Sequence, residues 1–425
     1  MTRTIVRITG IAAGGAGVGR LPDGRAVFVH RTAPGDEAEV RLLAQKRRWA
    51  RGSLVRLRTT GPDRRDAPCP HYDVCGGCTL EHLDYQAQLR AKATIVVETL
   101  RRIGGVNVDP PDVVASTAEF RYRNRVSFTL VRTGAGRVVA GFHTLDRADR
   151  VFDVDERCLL PEPAVAETWR GIRVAWGEEA SRLPSGDRLR LTVRASADGV
   201  ATLFIDGGFH PGRPVELLER VPRLASIWHR PHGSDTPSLL AGREAITERW
   251  RDERIELAGA VFLQVNRDAA ALMEDHVVAT VGDAGRLDVI DAYCGVGLLA
   301  HRLARSGSRV TGIELDARAV EEAARNAPPG ARFLAGTVET RIAESLPADV
   351  VVLNPPRAGV HADVCAALLR RPPGRIVYVS CDPATLARDV ARLAGRFTLR
   401  NVRCFDLFPQ TAHIETVAEL ACVTT

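Results

Sequence analysis

The alternation of apolar and polar positions changes character along the chain. Within residues 1–58 short runs at 4–8, 26–29, 37–42 and 54–57 are separated by glycine-containing turns, including a glycine-rich stretch at 14–19. Short, regularly spaced strands of this kind predict a small barrel similar to an OB-fold. Leu83, Ala87, Leu89, Ile95, Val96, Leu100 and Ile103 recur at helical spacing before Gly104-Gly105, which predicts one helix over 81–103. From 120 to about 250 strand-like runs return, among them 126–130 and 190–194. From about 255 to the end, strand and helix patterns alternate, as in a doubly wound α/β sheet. Three domains are expected: an OB-like barrel over 1–60, a mixed, β-rich central domain over 61–252, and a Rossmann-like domain over 253–425.

The run 377–380 reads as a buried strand that ends at Ser380-Cys381. Pro383 forces Asp382 out of helical geometry, so Cys381 falls on the turn after the strand. A helical pattern begins at Thr385. Open α/β sheets place their ligands at the carboxyl ends of strands. A nearby helix N-terminus is expected to favour the thiolate of Cys381.

Two further strand ends carry polar chemistry. Residues 287–293 run into Cys294-Gly295-Val296-Gly297, and the next strand ends in Glu314, about twenty residues beyond the glycines. A glycine loop followed at that distance by an acid suits a nucleoside, with the acid on ribose hydroxyls. The loop lacks the lysine of a phosphate loop, so S-adenosylmethionine is the expected ligand. The strand 349–353 ends in Asn354-Pro355-Pro356-Arg357. An arginine in the fourth place argues against amino-group methylation, where an aromatic residue stacks on the base. Residues 408–415 put His413 and Glu415 just ahead of a last strand, and either side chain is a candidate base.

Composition adds a partner. The net charge is +6, yet residues 1–58 hold twelve basic and four acidic residues, so this stretch carries +8 and the remaining chain −2. Positive charge gathered at one end points to nucleic acid. Arg47, Arg48 and Trp49 suit backbone contact with base stacking, and equally a solvated loop. In 120–125 arginines alternate with aromatics, which on a strand would align Arg121, Arg123 and Arg125 on one face. That face suits either phosphates or plain solvent. No apolar run approaches the roughly 18 residues of a membrane span, and the N-terminus lacks an apolar signal core. A cytoplasmic monomer without membrane contact is expected.

Nine cysteines in a reducing compartment are expected to be ligands, catalysts or core residues. Cys69, Cys75 and Cys78 form a C-x5-C-x2-C loop, and Cys158 is the candidate fourth ligand. Zinc and an iron–sulfur cluster both take four such ligands.

Taken in order, these motifs resemble the RNA uracil-C5 methyltransferase family over nearly the whole chain. The resemblance implies an N-terminal TRAM domain and a [4Fe–4S] cluster on Cys69, Cys75, Cys78 and Cys158. It implies S-adenosylmethionine contacts from Gln264, Tyr293, Gly295, Gly297, Leu298, Glu314, Thr337 and Asn354, with Phe262 beside the RNA. Cys381 is implied as nucleophile and Glu415 as general base. Leu298, Thr337, Asn354, Asp382 and Gln410 depart from residues frequent in the family. The implied reaction is methylation of uridine C5 in RNA, with large-subunit rRNA favoured over tRNA. The alternative is a noncatalytic iron–sulfur RNA-binding protein on a methyltransferase scaffold.

Overall fold

The structure, a computed structural model, describes residues 3–134, 136–259, 261–282 and 286–423. Met1, Thr2, Thr424 and Thr425, at the outer ends of the first and last expected domains, lie outside the described residues. The chain divides into two compact units, each built from separate stretches: residues 1–66, 82–117 and 268–425, and residues 67–81 and 118–267.

The first unit opens with a closed barrel of β1 (Arg3–Ile11), β2 (Gly17–Arg20), β3 (Ala26–Val29), β4 (Glu37–Gln45) and β5 (Trp49–Thr59), in the order β1-β2-β3-β5-β4. Alternation in β1 sends Val6 and Ile8 inward against Val27, Val29, Ala38 and Val40. The glycine stretch read as a turn partly becomes β2. A Cβ at Gly19 would lie 2.3 Å from Val6 Cγ1, so two strands approach where side chains would not fit. Strand β5 also begins five residues before the expected run at 54.

Helix α1 (Tyr85–Thr99) starts later than its apolar spacing indicated, because Asp84 Oδ1 accepts the Ala87 N–H at 2.7 Å and caps it. Its last turn widens into a π-helical turn over Leu100–Gly104, closed by Gly105 at φ +66°. Strand β6 (Val113–Val114) follows.

The second unit is built on β7 (Arg125–Arg132), β8 (Val138–His143), β9 (Val151–Asp153), α2 (Pro163–Ala175), β10 (Arg188–Ala195), β11 (Ala201–Asp206), α3 (Pro214–Arg220), β12 (Leu224–Arg230) and β13 (Ser238–Gly242). The seven strands form one sheet, in the order β13-β12-β11-β10-β7-β8-β9, and β14 (Ala245–Trp250) pairs with β15 (Glu253–Ala258). Phe128 stacks on Trp169 of α2 with ring centroids 3.8 Å apart, at the centre of the apolar face. The expected arginine strand is shorter than its pattern. Only Arg125 lies on β7, while Arg121 has φ +58° and Arg123 makes an isolated bridge to Pro161. The alternation itself persists, with Arg121, Arg123 and Arg125 more exposed than buried Tyr122 and Asn124 between them, and Arg123 and Arg125 line one cavity.

The first unit resumes with α4 (Arg267–Val281, most of it in this unit), β16 (Asp288–Ala292), α5 (Leu298–Arg305), β17 (Arg309–Glu314), α6 (Ala317–Arg325), β18 (Ala331–Ala335) and α7 (Val338–Ser345). It ends with β19 (Val350–Leu353), α8 (Ala362–Arg370), β20 (Arg375–Ser380), α9 (Pro383–Leu393), β21 (Phe397–Phe405) and β22 (Glu415–Cys422). The sheet order is β18-β17-β16-β19-β20-β22-β21-β6. Strands β18, β17, β16, β19 and β20 run parallel, and the near-continuous apolar sequences of β19 and β20 suit the centre of a sheet covered on both faces. The order reverses between β16 and β19, which is where such sheets open a crevice at their carboxyl ends.

Candidate active site

Every cofactor residue expected in the first unit lies at or beyond the carboxyl end of a parallel strand. Tyr293, after β16, is held at φ +65° with its N–H on the Ile313 carbonyl at 2.9 Å. Gly295 donates its N–H to Glu314 Oε2 at 3.0 Å, and Glu314 Oε1 accepts the Asp316 N–H at 2.9 Å. The acid is therefore fixed against the glycine loop. Gly297, at φ +79°, caps α5, and a Cβ there would meet Ala323 and the Phe333 ring at 2.8 Å. Only glycine fits that turn. Leu298 is buried at the first position of α5, Thr337 caps α7 beyond β18, and Asn354 is exposed beyond β19 with its N–H on the Ala292 carbonyl. Asp291, buried beneath the loop, has its carboxyl pushed up to about 7, above all by burial. Gln264 and Phe262 belong to the second unit, where the Gln264 carbonyl accepts a hydrogen bond from Asn124 Nδ2 at 3.0 Å.

Cys381 follows β20 directly and is half-buried. Asp382 Oδ1 accepts the N–H groups of Ala384 and Thr385, so α9 begins at Pro383 rather than at Thr385. Strand β22 runs antiparallel to β20, with Ser380 opposite Thr416, and thereby sets Glu415 beside Cys381. Glu415 is fully buried, and burial raises its carboxyl to about 8. The expectation that the helix end favours thiolate is corrected here. Burial and then the Glu415 charge raise the Cys381 thiol. Arg357 acts on both groups in the opposite direction, lowering each. The sequence singled out Arg357 only as evidence against another chemistry. Its place one turn past Asn354, at the carboxyl edge of the neighbouring strand, was the signal for a role here.

The loop that delivers Glu415 is anchored from α1. Lys92, fully buried, donates to Asp406 Oδ1 at 2.5 Å and to the Phe408 carbonyl at 3.1 Å. Gln88 and Gln410 exchange hydrogen bonds at 2.9 and 3.0 Å, with Gln410 held at φ +70°. His413, the other candidate base, is exposed. Asp389 of α9 accepts from Tyr378 Oη and from the Val360 N–H, tying the segment after Arg357 to α9.

In the second unit Cys69, Cys75, Cys78 and Cys158 line one cavity of about 530 Å³, while all nine cysteines are free thiols. The His71 ring and Asp155 lie 2.9 Å apart and join the two cysteine segments. Burial above all, then the neighbouring thiols, pushes Cys158 up to about 12, and burial, then the Glu81 charge, then the other thiols, push Cys78 well above its ordinary range. Thiolates gathered here would need a compensating cation. Among the described residues no group of three or more histidine, cysteine or acidic side chains converges as a single metal ion demands. Four cysteines on one cavity are the donor number that either zinc or an iron–sulfur cluster takes.

Of the residues expected to meet RNA, Arg47 and Arg48 are exposed in the turn between β4 and β5, and half-buried Trp49 meets Phe28 edge-on at 6.3 Å. Arg121 Nη1 donates to the Cys158 carbonyl at 2.9 Å, and the Arg125 guanidinium lies 5.3 Å from the Phe262 ring centroid.

A parallel sheet whose order reverses, with a glycine loop and a fixed acid at adjacent strand ends, fits a nucleoside cofactor, and its likeness to known proteins makes it the site of a methyltransferase that uses S-adenosylmethionine. Residues 289–371 match a methyltransferase domain, 340–421 the tRNA (Uracil-5-)-methyltransferase family, and 3–55 the TRAM domain. An uncharacterized RNA methyltransferase of Gloeobacter violaceus is 36% identical over 98% of this chain and 95% of its own. One from Synechocystis is 34% identical over the same shares. The crystal structure of Pyrococcus abyssi tRNA (uracil-54, C5)-methyltransferase with S-adenosyl-L-homocysteine covers 99% of this chain and 100% of that one, at TM-score 0.74 and 27% identity. The chain belongs to the RNA uracil-C5 methyltransferase family, and its barrel is a TRAM domain.

Proposed function

We propose that this enzyme methylates C5 of a uridine in structured RNA through a covalent adduct on Cys381, with Glu415 as the base. The observation that carries this reading is the pairing of β20 with β22, which sets a thiol and a buried carboxyl side by side at the ligand end of the sheet. When bound, S-adenosylmethionine supplies the methyl group; Tyr293, Gly295, Gly297, Leu298, Glu314, Thr337, Asn354 and Gln264 are assigned to hold it. The Cys381 thiolate adds to uracil C6 and opens the C5–C6 double bond, which makes C5 nucleophilic. After C5 is methylated, Glu415 takes the C5 proton, the double bond re-forms and the thiolate leaves. A base attacked in this way must be out of its stack. A noncatalytic RNA-binding role would need neither the thiol nor the buried acid beside it.

Large-subunit rRNA is the favoured substrate because of the basic TRAM domain. The likeness to the Pyrococcus tRNA enzyme, which spans the barrel as well, supports tRNA as the second reading. Arg47, Arg48, Trp49, Arg121, Arg123, Arg125 and Phe262 are assigned to RNA. The four cysteines are assigned to a [4Fe–4S] cluster, which with four protein ligands leaves no iron open and serves structure. Mass-spectrometric mapping of modified uridines in RNA from a strain lacking the protein tests the function. Loss of one or more 5-methyluridines is expected, and an unchanged rRNA and tRNA map would contradict it.

A further inference from the structure

The sheet of the second unit has two unlike faces. One is the apolar face packed on Trp169. The other lines the cavity that also holds the cysteines, and it carries arginines in register. Arg194 pairs across the strands with Arg125; four residues away on β10, Arg190 aligns with Asp206, which aligns in turn with Arg230.

These arginines differ in their partners. Arg230 has Asp206 at 2.5 Å. Arg267, close behind, takes both Glu162 and Glu248. Arg194 and Arg125 make no ion pair among the described residues. Arg194 is only 6% exposed, and its Nη1 and Nη2 have no hydrogen-bond partner among the described residues. Burial, then repulsion from Arg125, pulls its pKa down to about 9; Glu248, already paired with Arg267, draws it the other way only in part, and a guanidinium keeps its proton in proteins. A buried, unpaired cation is strongly unfavourable unless an anion completes it. The planar fork of arginine matches the oxygens of phosphate.

We propose that Arg194, flanked by Arg125, is an anchor for one backbone phosphate of the substrate RNA. This rests on the reading of RNA as substrate and adds a particular contact to it. Inorganic phosphate offers the same oxygens, but two features favour a nucleotide chain. The Arg125 guanidinium lies against the ring of Phe262, which is 57% exposed and available for stacking a base. Exposed Arg190 continues the positive face beyond the buried pair.

The test uses the full-length protein and a target RNA fragment, with affinity measured across a salt series. Arg194→Met is expected to reduce the slope of log affinity against log salt by about one and to weaken binding roughly tenfold at 0.1 M salt. A methylphosphonate at the contacted linkage should weaken binding by wild type but not by Arg194→Met. In a separate arm, inorganic phosphate should raise the unfolding temperature of wild type and not of the variant. Loss of that phosphate effect with an unchanged RNA slope would mark a free-anion site and overturn the assignment. An altered cluster absorption with an unchanged slope would assign the arginine to the cysteines and overturn it too. Should Arg194→Met fail to fold, Arg194→Lys decides. It should keep the slope but bind less tightly, because lysine lacks the fork, and unchanged affinity would contradict the proposal. A wild type that methylates no uridine would sink the functional reading instead, with the slope test still valid.

Discussion

Ser380 lies opposite Thr416 across antiparallel strands, and that register places Cys381, the next residue on one strand, beside Glu415, the preceding residue on the other. A shift by one residue would turn every side chain of β22 to the other face and separate the pair. The site is thus set by sheet register more than by its loops.

The order of events gives Glu415 a distinctive phenotype. If it removes the C5 proton after the adduct has formed, Glu415→Gln should still add to uracil and accept the methyl group. It should accumulate a covalent protein–RNA complex with ordinary RNA and turn over at least about 100-fold more slowly, in line with loss of a general base. A stain-shifted band on a denaturing gel is the expected result; a slow variant without the band would assign Glu415 to an earlier step.

Glu415 also links stability to pH. Its folded carboxyl titrates near 8, above its ordinary value of 4.5, so its neutral form favours the folded state. That contribution is full below about pH 4.5 and is lost as pH rises through about 8. Relative to wild type, Glu415→Gln should therefore gain stability as pH is raised across this window, as read by urea unfolding at several pH values. An unchanged difference from pH 5 to 9 would contradict burial of a neutral acid.

Arg357 lowers both reactive groups, so its loss should move both upward. Arg357→Met should show its methylation rate rising at more alkaline pH than wild type, with about a tenfold deficit at pH 7 for each pH unit of displacement. Arg357→Lys should recover much of the profile. A uniform loss at all pH values, not restored by lysine, would point to a role in binding alone.

Lys92 and Asp406 form a fully buried ion pair that anchors the loop leading to Glu415. Removing one partner strands the other charge, so Lys92→Met should destabilise the protein by about 3–5 kcal/mol, while Lys92→Met with Asp406→Leu should regain most of that loss. Denaturant unfolding of both variants measures it, and additive losses would contradict the pairing.

Much of this site could be read from the sequence. The strand–turn–helix around Cys381 was visible because Pro383 and the β-branched run act locally, and the glycine loop and Glu314 stood at telling distances along the chain. What stayed hidden depends on contacts remote in sequence. Lys92 sits on the apolar stripe of α1, in a chain with only one other lysine, Lys46. That placement was the available sign of a buried pair, but its partner lies 314 residues away. The helix-end argument for a thiolate at Cys381 failed because burial and Glu415 outweigh a dipole that solvent would otherwise leave as the main influence. The alternation at 121–125 was legible, but the strand's start at Arg125 was not, because a left-handed turn at Arg121 leaves no trace in hydrophobic periodicity.

The cysteine cavity gives a separate prediction. Protein purified without oxygen should be brown and contain iron and acid-labile sulfide, and Cys78→Ser should lose both. Stoichiometric zinc without sulfide would contradict the cluster assignment.

The central claim is nucleophilic attack by Cys381 on uracil C6. RNA carrying 5-fluorouridine at the target should be trapped, because fluorine cannot leave C5 as a proton and the thioether persists. Incubated with S-adenosylmethionine and labelled 5-fluorouridine RNA, wild type should give a slow-migrating band on a denaturing gel. Cys381→Ala should give no band and no methylated product with ordinary RNA, whereas Cys404→Ser should keep the band. Full methylation of ordinary RNA by Cys381→Ala would contradict the mechanism.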